Sequence, residues 1–162
     1  MCEVFFSVPA FVDFLRERGF RLVTAESCTG GLIAKLVTDV AGSSDVFWGA
    51  FVTYSNDAKT RCLGVSEDTV RRFGAVSRET VEAMARGALA ASGASACIAV
   101  SGVAGPGGGS PEKPVGTVFI GARAGEGRHR EEEFHFCGTR EEVRRASAYK
   151  ALAFVEELLR GG

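Results

Sequence analysis

The chain holds 162 residues, 46% of them hydrophobic and 24% charged, at a formal net charge of −1. That balance predicts one globular domain with room for a sizeable core, and it argues against a nucleic-acid binder, which usually shows a basic face. No apolar run reaches the roughly 18 residues of a membrane span, "MCEVFFSVPAFVDFLRERGF" carries no leader signature, and Cys2, Cys28, Cys62, Cys97 and Cys137 form no CxxC pair, so a cytoplasmic chain without membrane partner, disulfide framework or metal site is expected.

Val8, Phe11, Val12 and Leu15 stand at helical spacing and predict a helix over 8–18, with Pro9 near its first turn and Gly19 at its stop. "FRLVTA" (20–25) reads as a short strand, and Leu32, Ile33, Leu36, Val37 and Val40 predict a second helix closed by Gly42. "VFWGAFVTY" (46–54) is apolar, aromatic and β-branched, which predicts a strand buried on both faces. Ser66 is expected to cap a short helix, and Ser77 a longer one carrying Val81, Met84, Ala85 and Ala88. "ASACIAVSG" (94–102) is the next buried strand, with Cys97 as a small hydrophobe inside it.

That strand runs into "VAGPGGGSPEKPVG", a long loop by its glycine and proline content. Strands at 115–124 and 128–137, separated by "GEG", predict a hairpin. "TREEVRRASAYKALAFVEELL" is the final helix, and Thr139 followed by Glu142 is a capping-box pair. Helices alternating with buried strands predict an α/β fold: a three-layer α/β/α domain, single over 1–162, around a mixed, mostly parallel sheet with a late antiparallel hairpin.

Ligands in such sheets bind at the carboxyl ends of the strands, which directs attention to the loops at 25–31, 55–60 and 102–114. The first offers Glu26, Ser27, Cys28 and Thr29 ahead of Gly30 and Gly31. Its N–H groups suit an anion or oxyanion, while the plainer alternative is that Ser27 or Thr29 caps the following helix. The second carries Tyr54 and Lys59. A desolvated lysine can act as general base toward a serine; a solvated surface lysine is the alternative. The third, "SGVAGPGGG", has the composition of a phosphate loop without its Gly-Lys-Ser/Thr ending, and a flexible connection is equally open.

Other patterns are weaker. "SAYK" (147–150) has Ser-x-x-Lys spacing but falls mid-helix with no companion motif. His129, Glu131, Glu133 and His135 share one strand face, which reads as a solvated edge rather than a metal cluster. In the final helix, the stripe Ala148, Leu152, Val155 and Leu159 continues backwards onto Arg144 or Arg145 and then Glu141. With Arg140 in the same first turn, these guanidinium groups form an anion site beside free helix N–H groups, or else a solvated pair.

Taken in order, "TAESCTGG", "GAFVTYSNDAK", "GAVSRETVEAMA", "SGVAGPGGGSPEKPVGTV" and "GTREEVR" resemble the CinA C-terminal domain family over about residues 8–160. Stand-alone members of that family are nicotinamide-nucleotide amidohydrolases. The resemblance implies hydrolysis of the carboxamide of nicotinamide mononucleotide (NMN) to nicotinate mononucleotide and ammonia, without metal or cofactor. It implies a serine nucleophile, Ser27, paired with Lys59 and with Tyr54 close by. Cys28, Thr29, Gly30, Ser101, Gly102, Gly105, Arg140 and Arg144 are the implied substrate-binding positions. A homo-oligomer is expected, and so is the lack of the larger N-terminal domain that some members carry.

Between Ser27 and Cys28 the chemistry favours serine. A cysteine amidase usually needs a histidine to form its thiolate, and His129 and His135 both fall on the late hairpin rather than in the motif loops. Thr29 is expected at the helix start, shaping the backbone oxyanion site. The competing reading is a non-catalytic nucleotide- or partner-binding module associated with competence. The presence of Ser27, Tyr54 and Lys59 weighs against it, and the net charge of −1 weighs against direct DNA binding.

Overall fold

The computed structural model describes residues 6–125 and 127–161. Cys2, the start of the segment read for a leader, and Glu126 in the "GEG" turn lie outside the described residues. Helix α1 (Val8–Arg18) starts where the Ser7 hydroxyl accepts the Ala10 N–H, and it ends at Gly19 in a left-handed conformation. Its buried stripe includes Val8, Phe11, Val12 and Leu15, the spacing read from sequence.

Five strands make one sheet in the order β2 (Phe47–Val52), β1 (Leu22–Glu26), β3 (Ala96–Gly102), β4 (Thr117–Ala124), β5 (Arg128–His135). β1 pairs parallel with both β2 and β3, whereas the β3–β4 and β4–β5 pairs are antiparallel. Four strands therefore run one way and β4 runs against them. Successive strand residues point to opposite faces. Leu22, Ile98, Val100, Val118 and Ile120 join α1, α2 (Leu32–Thr38) and α6 (Arg140–Arg160) in one core. Val23, Ala25, Cys97, Ala99 and Phe119 join α5 (Arg78–Ser92) in the other. The three layers follow from this alternation.

Three helix starts match their predicted caps. Ser66 caps α4 (Glu67–Phe73), Ser77 caps α5, and Thr139 with Glu142 forms the reciprocal capping box of α6. Two expectations are corrected. The strand read as buried on both faces, β2, is an edge strand: Trp48 and Val52 stay 38% and 49% exposed. Its apolar composition does not reveal that it has β1 alone as a neighbour. A bulge interrupts the register, since Leu22 faces Phe47 while Val23 already faces Gly49, and the skipped Trp48 stacks on Phe51. The segment read as a loop at 55–60 is instead the Ser55 cap and first turns of α3 (Asn56–Leu63).

Helix α3 is held close to α5. A Cβ on Gly87 would lie 1.9 Å from the Leu63 carbonyl oxygen, so only glycine permits the approach. This contact fixes the helix that carries Lys59.

Candidate active site

Ser27 follows the last residue of β1. Its N–H donates to the Val100 carbonyl at 2.9 Å, extending the ladder to β3, and its carbonyl accepts the Gly30 N–H at 3.1 Å. The chain turns there through Gly30 and Gly31, whose φ values of +58° and +94° suit glycine. A Cβ on Gly30 would also press within 3.3 Å of the Arg144 guanidinium.

Neither Ser27 nor Thr29 caps α2. The N-cap position is Gly31, which has no side chain to offer. The cap comes from Glu26, whose fully buried carboxylate accepts the Gly31 and Ile33 N–H groups through Oε2 at 3.0 and 3.1 Å. Its Oε1 accepts the Ala34 N–H at 2.9 Å and the Thr24 hydroxyl at 3.1 Å. A carboxylate against the positive end of a helix, accepting several N–H groups, satisfies both its own charge and the orphan donors. The Ser27 hydroxyl is thereby released for other work. Sequence reasoning placed Glu26 in this loop but gave it no role and weighed Ser27 or Thr29 as the cap; the signal was a carboxylate at the end of a buried strand just ahead of a Gly-Gly helix start.

Lys59 is 1% exposed. Its Nζ lies 2.9 Å from Ser27 Oγ, 2.9 Å from the Thr53 carbonyl oxygen and 3.3 Å from the Tyr54 carbonyl oxygen. Burial lowers the Lys59 pKa from its ordinary value, with only Cys28 acting in the opposite direction. The neighbouring Cys28 thiol is pushed up to about 11, chiefly by burial, which keeps it protonated at neutral pH. The structure thus brings a buried serine and a lysine of lowered basicity into contact, beside a cysteine that is a poor nucleophile.

A cavity of about 200 Å³ opens on this contact, lined among others by Ser27, Cys28, Tyr54, Lys59, Ser101 and Arg140. Gly102 also lines it, and buried Ser101 donates to the Ala75 carbonyl at 2.7 Å. Arg140 spans the mouth: Nη1 donates to the Gly105 carbonyl at 2.8 Å and Nη2 to the Tyr54 hydroxyl at 3.0 Å. Arg144 lies behind the turn, with Nε on the Cys28 carbonyl at 3.1 Å and Nη2 on the Thr29 carbonyl at 2.8 Å. Thr29 Oγ1 is buried with no partner among the described residues. Every position implied by the resemblance therefore falls in or against one cluster.

The weaker patterns stay apart from it. His129 pairs with Glu131 and His135 with Glu133 on β5, at the edge of the sheet. The Ser147 hydroxyl bonds the Val143 carbonyl and Lys150 pairs with Glu157, so the "SAYK" spacing forms no dyad. The inward stripe of α6 runs through Val143 and Ser147, leaving Arg144 half-buried and Arg145 exposed.

The family model described as the CinA C-terminal domain matches residues 8–159. The chain belongs to the CinA C-terminal domain family. Among CinA-family relatives, a Pseudomonas putida protein named nicotinamide-nucleotide amidohydrolase PncC is 55% identical over 140 residues, covering 86% of this chain and 87% of the relative. An Enterobacter agglomerans protein of the same name is 53% identical over 138 residues, covering 85% and 84%. A Thermotoga maritima CinA-like protein is 47% identical over 150 residues; the match takes 93% of this chain but only 36% of that longer relative. The solved structure of the competence/damage inducible protein CihA from Agrobacterium tumefaciens superposes with a TM-score of 0.90 at 45% identity, covering 93% of this chain and 94% of its own.

Proposed function

We propose that this chain hydrolyses the carboxamide of NMN to nicotinate mononucleotide and ammonia, with Ser27 as nucleophile and Lys59 as general base. The observation that carries the reading is the buried 2.9 Å contact between Lys59 Nζ and Ser27 Oγ. The names of the two PncC relatives, each matched over most of its length, support the substrate.

The chemistry needs the neutral amine. Neutral Lys59 donates its two hydrogens to the Thr53 and Tyr54 carbonyls and turns its lone pair to the Ser27 hydroxyl. As Oγ attacks the amide carbon, Lys59 takes the hydroxyl proton and the carbonyl oxygen becomes an oxyanion. No described hydrogen bond uses the N–H of Thr29, which leaves it as a donor for that oxyanion. Lys59 returns the proton to the leaving nitrogen, the C–N bond breaks and ammonia departs. Water then attacks the Ser27 ester, Lys59 taking one of its protons and handing it to Oγ as the C–Oγ bond breaks; the product leaves as the carboxylic acid, whose remaining proton passes to solvent or ammonia. Tyr54 and Arg140 close the mouth over the ring, and Gly30, Ser101, Gly102 and Gly105 shape the walls.

A pure binding module has no need of a lysine buried against a serine, and no feature of the site favours that reading over catalysis. The test is ammonia release from NMN by purified protein in the presence of a chelator, with Ser27→Ala as control. Release by the wild type and none by the variant is expected; equal release by both removes Ser27 from the mechanism.

We also propose a cytoplasmic homo-oligomer. The free thiols of Cys28, Cys62, Cys97 and Cys137 support the location. No helix of the described residues is long and apolar enough to cross a membrane. The open edge of β2 supports self-association.

A further inference from the structure

The glycine- and proline-rich segment at 102–114 is packed on itself. Val103 closes its base, donating its N–H to the Thr117 carbonyl at 2.8 Å and accepting the Gly116 N–H at 2.7 Å. A Cβ on Gly109 would lie 2.8 Å from the Val115 nitrogen, so the two limbs touch where only glycine leaves room. A tight turn joins Ser110 to Lys113: the Ser110 N–H donates to the Lys113 carbonyl at 2.9 Å, and the Lys113 N–H to Ser110 Oγ at 3.1 Å. The near end of the segment is tied to Arg140 through the Gly105 carbonyl. The far end is tied to Phe73, whose carbonyl accepts from Lys113 Nζ at 2.9 Å.

Phe73 ends α4, and Ala75 and Val76, just after it, line the Ser27 cavity. Helix α4 contributes no buried residue, so packing holds it weakly. Polar ties take over that task. Three successive carbonyls are gripped there: Phe73 by Lys113, Gly74 by the Ser77 and Thr80 hydroxyls at 2.9 and 2.7 Å, and Ala75 by the Ser101 hydroxyl at 2.7 Å. Ser77 and Thr80 belong to the start of α5 and Ser101 to β3. Lys113 alone comes from the segment that Arg140 also holds. A cation on an orphan carbonyl of the last helical turn also suits the negative end of the helix dipole.

We propose that Lys113 is a positioning residue: through Phe73 it fixes the Ala75–Val76 wall, and the segment that carries it is a strap joining that wall to Arg140. The role rests on the amidohydrolase reading above, because the wall encloses the amide that Ser27 attacks. Lys113 is half-buried and stands outside the cavity lining, so its loss loosens the wall and leaves the contact of Ser27 with Lys59 in place.

Steady-state kinetics on NMN, together with backbone amide relaxation measured by NMR, test the assignment. Lys113→Met keeps a long side chain and removes the donor. It should raise KM by about 2- to 10-fold, the range of one ordinary hydrogen bond, because the substrate must then order a wall that the strap no longer holds. kcat should change less. A merely structural role would instead lower kcat and the melting temperature together and leave KM unmoved. Lys113→Arg, which keeps a donor on a long stem, should return KM toward the wild-type value. The order parameters of Ala75 and Val76 should fall in Lys113→Met from the rigid value of about 0.85 toward the flexible range, with that of Ser27 unchanged. An unaltered KM, a Lys113→Arg as impaired as Lys113→Met, or unaltered order at Ala75 and Val76 would each overturn the assignment. If the wild type releases no ammonia from NMN, the amidohydrolase reading fails by itself. The order parameters, which need no activity, then decide alone: a fall at Ala75 and Val76 supports the strap, and no change removes it.

Discussion

Among the described residues Lys59 meets three oxygen acceptors, those of Ser27, Thr53 and Tyr54, and no carboxylate. An ammonium there is hydrogen-bonded but stripped of water and of any counter-charge, which is why burial lowers its pKa. Ser27→Ala and Lys59→Ala should each nearly abolish turnover. The double variant should be little worse than either, because groups acting as a unit are not additive. Cys28→Ala should keep most activity, since its thiol is held protonated by burial; a dead Cys28→Ala beside an active Ser27→Ala would reverse the choice of nucleophile. The sign of the pH dependence follows from the base role. In the proposed mechanism the active form is neutral Lys59, so activity should rise with pH, and the lowered pKa places the midpoint below the ordinary value of about 10.4. A pH–rate profile of kcat/KM checks this, and a flat profile from pH 6 to 9 with chemistry rate-limiting counts against it. Ser27 and Lys59 were legible in the sequence as members of motifs. The lowering of Lys59 basicity was legible only as a chemical requirement, because its cause is the packing around it.

Helix α2 shows why some of the site was not legible. Cap rules look for a polar side chain at the N-cap itself, and that position is Gly31. The acceptor comes instead from Glu26, five residues upstream, reaching under the turn. Glu26→Gln would keep the shape but set amide hydrogens against donors of the helix start. A buried unsatisfied group costs about 1–3 kcal/mol, so the melting temperature should fall. The turn that aims Ser27 should loosen as well, giving a drop in kcat larger than any change in KM. Thermal unfolding and steady-state kinetics read the two effects separately; an unaltered kcat would confine Glu26 to stability. Helix α3 was hidden for a different reason. "YSND" has the composition of a turn, and here the same residues supply the Ser55 cap and first turn of a helix.

The alternation of apolar residues made the three layers legible, since it fixes which side chains face each helix layer. Strand order was not, because pairing depends on contacts between distant segments. β3 inserts beside β1 and leaves β2 at the edge, so the aromatic "VFWGAFV" stretch is half exposed rather than central. An open, apolar edge favours pairing with another copy. Light scattering should give a solution mass above the 17.1 kDa of one chain, and Trp48→Lys should shift it toward the monomer. A wild-type monomer at high concentration would count against self-association through this edge.

The hold of Arg144 on the Cys28 carbonyl joins residues 116 positions apart. At roughly 5–20 residues per second on the ribosome, the serine emerges on the order of ten seconds before its clamp. A nascent chain can expose Ser27 and Lys59 and still lack the grip that holds the turn. On the proposed mechanism, translation thus separates having Ser27 and Lys59 from being able to use them, and chains stopped short of the final helix should carry the pair without the proposed activity.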